Sequence, residues 1–145
     1  MRNLQFMLIP FIILGLFFSS CSNDDDNNSN VDRIVGSWEI SDLKLNGSSI
    51  YDVVILLPEG CFLKSKVHFF NDYTLKANPF MLDEQGNCVE GPEQSGTWSK
   101  SGNTYTYQIG EGTTDSQTVT FVGDNTFYYS FTNESNEYQV YLSRM

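Results

Sequence analysis

Four stretches toward the end of the chain alternate apolar and polar residues with a period of two. Tyr105, Tyr107 and Ile109 share one face of Thr104 to Ile109, and Val119 and Phe121 share one face of Thr118 to Val122. Phe127, Tyr129 and Phe131 line up in Thr126 to Thr132, and Tyr138, Val140 and Leu142 in Glu137 to Ser143. This period puts alternate side chains on opposite faces of a strand and does not suit a helix. Turn sequences separate the stretches: Ser101-Gly102-Asn103, Gly123-Asp124-Asn125 and Asn133-Glu134-Ser135-Asn136. Connections this short join neighbouring strands as antiparallel hairpins.

The earlier part of the chain reads the same way. Trp38 and Ile40 share a face after Gly36, while Leu43 and Leu45 continue out of phase. A bulge near Ser41-Asp42 accounts for the slip. Asn46-Gly47 marks a turn. Ile50 to Leu57 is apolar and β-branched, and is read as a strand broken by Pro58-Glu59-Gly60. Val67 and Phe69 alternate within Phe62 to Phe70. Tyr73 to Leu82 reads as a strand interrupted at Asn78-Pro79, and Asp83 to Ser95 as a loop holding Cys88. With eleven Phe and eight Tyr, the composition favours strands, and no convincing helix stands out. The expected fold is all-β, an antiparallel meander of about eight short strands in a barrel or sandwich. Closing such a sheet removes the edges that would otherwise invite aggregation.

The start of the chain has a different character. Arg2 precedes an unbroken apolar run of thirteen residues, Phe6 to Phe18. That is short for a helix crossing a hydrocarbon core of about 30 Å, and has the length of a signal-peptide core. It ends in Phe18-Ser19-Ser20-Cys21. A cysteine directly after two small residues resembles the lipobox of bacterial lipoproteins, with Phe18 where leucine is usual. The resemblance implies cleavage before Cys21 and lipidation of Cys21, which anchors the chain to a membrane. Two or more acyl chains hold stably, at about 0.8 kcal/mol per buried CH₂. Ser22 to Asn30 is polar, acidic and free of apolar residues, as a solvated tether should be. A cysteine followed closely by an acidic run resembles the surface-export signal of Bacteroidetes lipoproteins, which implies the outer membrane and its external face. The organisation expected is a signal peptide over 1–20, a lipidated cysteine and tether over 21–33, and a barrel domain over 34–145.

Gly36-Ser37-Trp38 at the start of the first strand resembles the Gly-x-Trp mark of lipocalins and their relatives. The resemblance implies a calycin-type barrel in which Gly36 lets the backbone bend at the floor and Trp38 plugs the closed end. It also implies that Arg144, after the last strand, packs over the indole. A second Gly96-Thr97-Trp98, the Ser101-Gly102-Asn103 turn, and Gly123-Asp124-Asn125-Thr126 before an aromatic strand strengthen the likeness. Together they resemble the lipocalin-like domain lipoproteins of Bacteroidetes over residues 34–145.

The chain carries 18 Asp and Glu against 8 Lys and Arg, a formal charge of −10. An acidic domain repels phosphate backbones, so nucleic acid is not an expected partner. Cys61 and Cys88, in an exported chain, are expected to form a disulfide. His68 is the only histidine and should point away from Val67 and Phe69, toward the rim or solvent. No Ser–His–acid or Cys–His set follows from spacing, and no group of metal ligands does, so neither catalysis, a metal nor a cofactor is expected. Asn46-Gly47-Ser48 and Asn133-Glu134-Ser135 fit a glycosylation pattern and read as turns. The aromatic stripes leave two readings open. Tyr105, Tyr107, Phe127, Tyr129 and Phe131 line a cavity for a small apolar or amphipathic ligand, entering opposite Trp38. Alternatively they fill the barrel, and the outer surface contacts a protein or glycan partner.

Overall fold

The computed structural model describes residues 31–112 and 114–145; the leader, Cys21 and the tether up to Asn30 lie outside the described residues. Eight strands form the barrel: β1 (Gly36–Leu45), β3 (Lys66–Phe69), β4 (Thr74–Asn78), β7 (Gln94–Ser101), β8 (Thr104–Ile109), β9 (Thr114–Phe121), β10 (Thr126–Asn133) and β11 (Asn136–Arg144). Each pairs antiparallel with the next, and β11 pairs back onto β1, closing the sheet. A two-residue strand, β2 (Ser48–Ser49), pairs antiparallel with the end of β1. A separate hairpin, β5 (Phe80–Leu82) and β6 (Cys88–Glu90), stands between β4 and β7. The expected all-β meander is the fold.

The slip after Ile40 is a bulge. Register shifts between Ile40 and Asp42, and Leu43 then pairs with Val140. The Asp42 carboxylate accepts the Leu43 N–H at 2.8 Å and the Ser49 hydroxyl at 2.6 Å, holding the irregularity. The extra residue turns Leu43 inward again, where it is buried.

Ile50 to Leu57 is not a strand. It forms a short helix, α1 (Tyr51–Val54), and leads into a 3₁₀ helix over Pro58–Lys64. Ile50, Tyr51, Val54 and Ile55 pack on the core, while Val53, Leu56 and Leu57 are exposed. That spacing is helical, and an unbroken apolar run hides it. The disulfide Cys61–Cys88, with Cα atoms 5.5 Å apart, ties the 3₁₀ helix to the β5–β6 hairpin. Both extra elements follow the ends of strands on the side away from Trp38.

The closed end is built by the segment before β1 and the end of β11. Trp38 is fully buried and donates its indole N–H to the Ile34 carbonyl at 2.6 Å. Arg144 lies over the indole at 4.4 Å and donates to the carbonyls of Val35 and Arg33 at 2.8 and 2.9 Å. Gly36 adopts φ +136°, and a Cβ there would run into the Arg144 guanidinium. Gly96 answers a different need: its Cβ would strike the Gln108 carbonyl on β8, so glycine allows the two strands to approach. Trp98 is buried beside it, with its N–H on the Phe70 carbonyl at 3.0 Å. The core and the closing ladder lie within residues 34–144.

Gly36→Ala should cost about 1–3 kcal/mol through backbone strain alone. Arg144→Ala should cost a similar amount, about 1–3 kcal/mol, by removing the cation–π contact and two charge-assisted hydrogen bonds. Because the new Cβ and the guanidinium compete for one space, the double variant should lose less than the sum of the two. Urea unfolding of the four proteins measures this; strict additivity would separate the glycine from the arginine.

Candidate functional site

Inward-facing side chains of the eight strands do not fill the barrel. A cavity of ≈ 260 Å³ remains between the floor and the far rim. Its apolar lining comes from around the barrel, with Ile40, Phe69, Leu75, Val119, Phe127 and Leu142 among the side chains that face it. Ser65, Lys66, Pro79 and Gln94 border it where β3 and β7 begin and β4 ends, at the end away from Trp38. An apolar cavity of about 150 Å³ accepts benzene, so this one has room for something larger than a single ring.

The residues named as a cavity set separate into three roles. Tyr107, Tyr129 and Phe127 line the space. Tyr105 lines it with its ring, but its hydroxyl turns away and donates to Asp32 at 2.7 Å. Phe131 does not line it: the ring stacks on Tyr138 at 5.2 Å near the end of the β10–β11 hairpin and is 43% exposed. Alternation put Phe131 on the correct face, but the strand carries it beyond the cavity.

Asp32 falls in the stretch expected to be tether, yet it belongs to the floor. Its carboxylate accepts the Ile34 N–H at 3.0 Å, the Tyr105 hydroxyl and the Lys100 ammonium at 2.6 Å. Burial alone would raise its pKa, but these hydrogen bonds and the lysine charge outweigh it, and the group sits below the usual carboxylate range. Nothing in the local sequence marks it, because all three partners depend on the fold.

The wall formed by β8, β9 and β10 is the more polar one. Tyr107 donates to Asp115 at 3.2 Å, and Gln117 lines the cavity nearby. The Tyr129 hydroxyl has no hydrogen-bond partner among the described residues. Burial, then the Asp115 charge, pushes the Tyr107 phenol up to about 12 and raises that of Tyr129. Burial and the Asp32 bond likewise raise Tyr105.

His68 has no carboxylate partner among the described residues. It shares a 2.6 Å hydrogen bond with Ser37 and packs on Phe70, with ring centroids 4.1 Å apart. Asp83 holds its own turn through Gln85 and Asn87, Glu90 accepts from Asn78, and Glu93 pairs with Lys76. Among the described residues no three His, Cys, Asp or Glu side chains gather as a metal site. No described helix is long and apolar enough to cross a membrane.

The raised phenols set an alkaline limit. A tyrosine whose folded pKa exceeds its unfolded value of about 10 stabilises fully below pH 10, and that contribution is lost as pH rises through the folded value. Stability should therefore fall between pH 10 and about 12 for Tyr107, and Tyr107→Phe should flatten part of that limb. Denaturant unfolding across this range checks it; an alkaline limb unchanged in Tyr107→Phe would remove the assignment.

A crystal structure of a lipocalin-like protein from Bacteroides uniformis is similar to this chain at 10% sequence identity and a TM-score of 0.47, covering 79% of this chain and 100% of the other. Comparison with curated protein sequences returns no match. The family model described as a lipocalin-like domain matches residues 34–129. That span runs from the Ile34 acceptor of the floor tryptophan, through both Gly-x-Trp glycines, to Tyr129 on the cavity wall, and over more than half its length the chain belongs to the lipocalin-like domain family.

Proposed function

We propose that this chain is a lipid-anchored outer-membrane protein whose barrel binds a small apolar or amphipathic ligand and performs no chemistry on it. The observation that carries the reading is the ≈ 260 Å³ cavity, walled mainly by aliphatic and aromatic side chains. Pockets for small molecules have this makeup, with a few polar groups to orient the ligand. Tyr107, Gln117 and Tyr129 supply those groups here. A filled barrel would favour the outer surface as the working face, and the cavity argues for the interior instead.

The anchor rests on the sequence: the apolar leader, the small residues before Cys21, and the acidic run after it. The export-signal likeness of that run supports the cell surface.

Native mass spectrometry of the chain from Ser22 onward, isolated from its host's periplasm, tests the cavity. Extra mass that leaves on denaturation is expected. Ala77→Phe should abolish it by filling the space, with stability changed by no more than about 1–3 kcal/mol. Bare mass across growth conditions, or bound mass retained in Ala77→Phe, would turn attention to the outer surface.

The anchor has its own test. The full-length protein should take up labelled fatty acid in its host, and Cys21→Ser should abolish the label. Label retained in the variant, or none in the wild type, would overturn lipidation of Cys21.

A further inference from the structure

The barrel wall is incomplete on one side. The β1–β3 ladder ends at Glu39 and Lys66, and beyond it Ile40 to Leu45 of β1 have no partner in β3. α1 and the 3₁₀ helix lie across this gap, where the Tyr51 hydroxyl reaches the Ile40 carbonyl at 3.4 Å. Beneath them lies a groove of ≈ 390 Å³, lined by Glu39, Tyr51, Leu63, Lys64, Lys66 and Phe80, among others. Groove and cavity share Ile40 and Lys66, so the gap adjoins the interior.

Cations are scarce in this chain, and five of the seven described ones are engaged. Arg33 meets Asp124 and the Phe121 ring, and Lys44 meets Asp42 and the Tyr141 ring. Lys76 pairs with Glu93, Lys100 with Asp32, and Arg144 covers Trp38. Lys64 and Lys66 are the two described cations with no carboxylate, carbonyl or ring partner among the described residues. Both line the groove. Glu39 lines it too, directly across the ladder from Lys66, yet the two form no ion pair within 4.0 Å. In a chain with 18 acidic residues, two free ammonium groups beside one opening are a departure from the general pattern.

We propose that the gap between β1 and β3 holds the anionic head of an amphiphile whose tail lies in the cavity, with Lys64 and Lys66 as the charge partners. This rests on the cavity being a ligand site and adds the class of ligand. The opposite wall offers no comparable cue for a cationic head. Asp115 does not line the cavity, and its oxygens already accept from Tyr107 and from the Ser116 N–H at 2.7 Å. A lysine is a compact charge without the planar fork of arginine, so carboxylate and phosphate heads share the required chemistry.

The test compares decanoate, decyl phosphate, decanol and decylamine by calorimetry on the chain from Ser22 onward. Decanoate or decyl phosphate should bind several-fold more tightly than decanol, and decylamine most weakly. Whichever anion binds more tightly identifies the head. High salt should reduce the preference, because the lysines are exposed. The double variant Lys64→Gln, Lys66→Gln should bind all four ligands with similar affinity at unchanged thermal stability. An anion preference that survives in that variant, or a preference for decylamine, would overturn the head assignment while leaving the cavity reading intact. Failure of decanol and both anions to bind would overturn the cavity reading itself.

Discussion

Closure of the sheet depends on what happens around one indole. Trp38 lies where β1 leaves the floor, and its N–H would be a costly buried orphan without the Ile34 carbonyl. Arg144, at the end of the last strand, covers the ring and ties the segment before β1 through two carbonyls. The first and last strands are thereby joined through side chains at the same place where their ladder closes. Gly36 is the backbone counterpart of this contact, since any side chain would occupy the guanidinium's position. Asp32 adds a third tie, from the entering chain to Tyr105 and Lys100 across the floor.

With the floor sealed, the geometry at the other end governs access. The strands there continue into the 3₁₀ helix and the β5–β6 hairpin, which the disulfide joins. These pieces frame the rim and span the gap beside β1, while the polar residues Tyr107 and Gln117 lie on the far wall. The cavity is thus apolar along its length with distinct chemistry on two sides. Under the proposed reading, that arrangement is what would orient an amphiphile, which a uniformly greasy core would not.

Much of the fold was legible in the sequence because strand periodicity is a local property. The hairpins from β7 to β11 follow from alternation and turn residues, and the bulge at Ser41 follows from a break in phase. Ile50 to Leu57 was misread for an equally physical reason. A continuous apolar run satisfies a buried strand and a packed helix alike, and only contact with the core reveals the spacing of Ile50, Tyr51, Val54 and Ile55. The site was legible by face but not by depth. Tyr107, Phe127 and Tyr129 line the cavity, while Phe131, in phase with them on β10, lies exposed beyond it, because where the cavity stops depends on strand tilt and on how far each hairpin extends.

The sequence by itself determined the hairpin order and the alternating stripes, because both rest on short-range pattern; the pairing of Cys61 with Cys88 followed from an exported chain with two further cysteines, and the floor motif from its resemblance to lipocalins. The tertiary structure alone decided that the barrel keeps an open volume and that Asp32 belongs to the floor. It also decided that Lys64 and Lys66 stand free beside a gap in the wall. Volume is the small difference between the space that eight strands enclose and the side chains that enter it. Charge pairing likewise depends on which distant segments meet. Neither quantity exists until the sheet has closed.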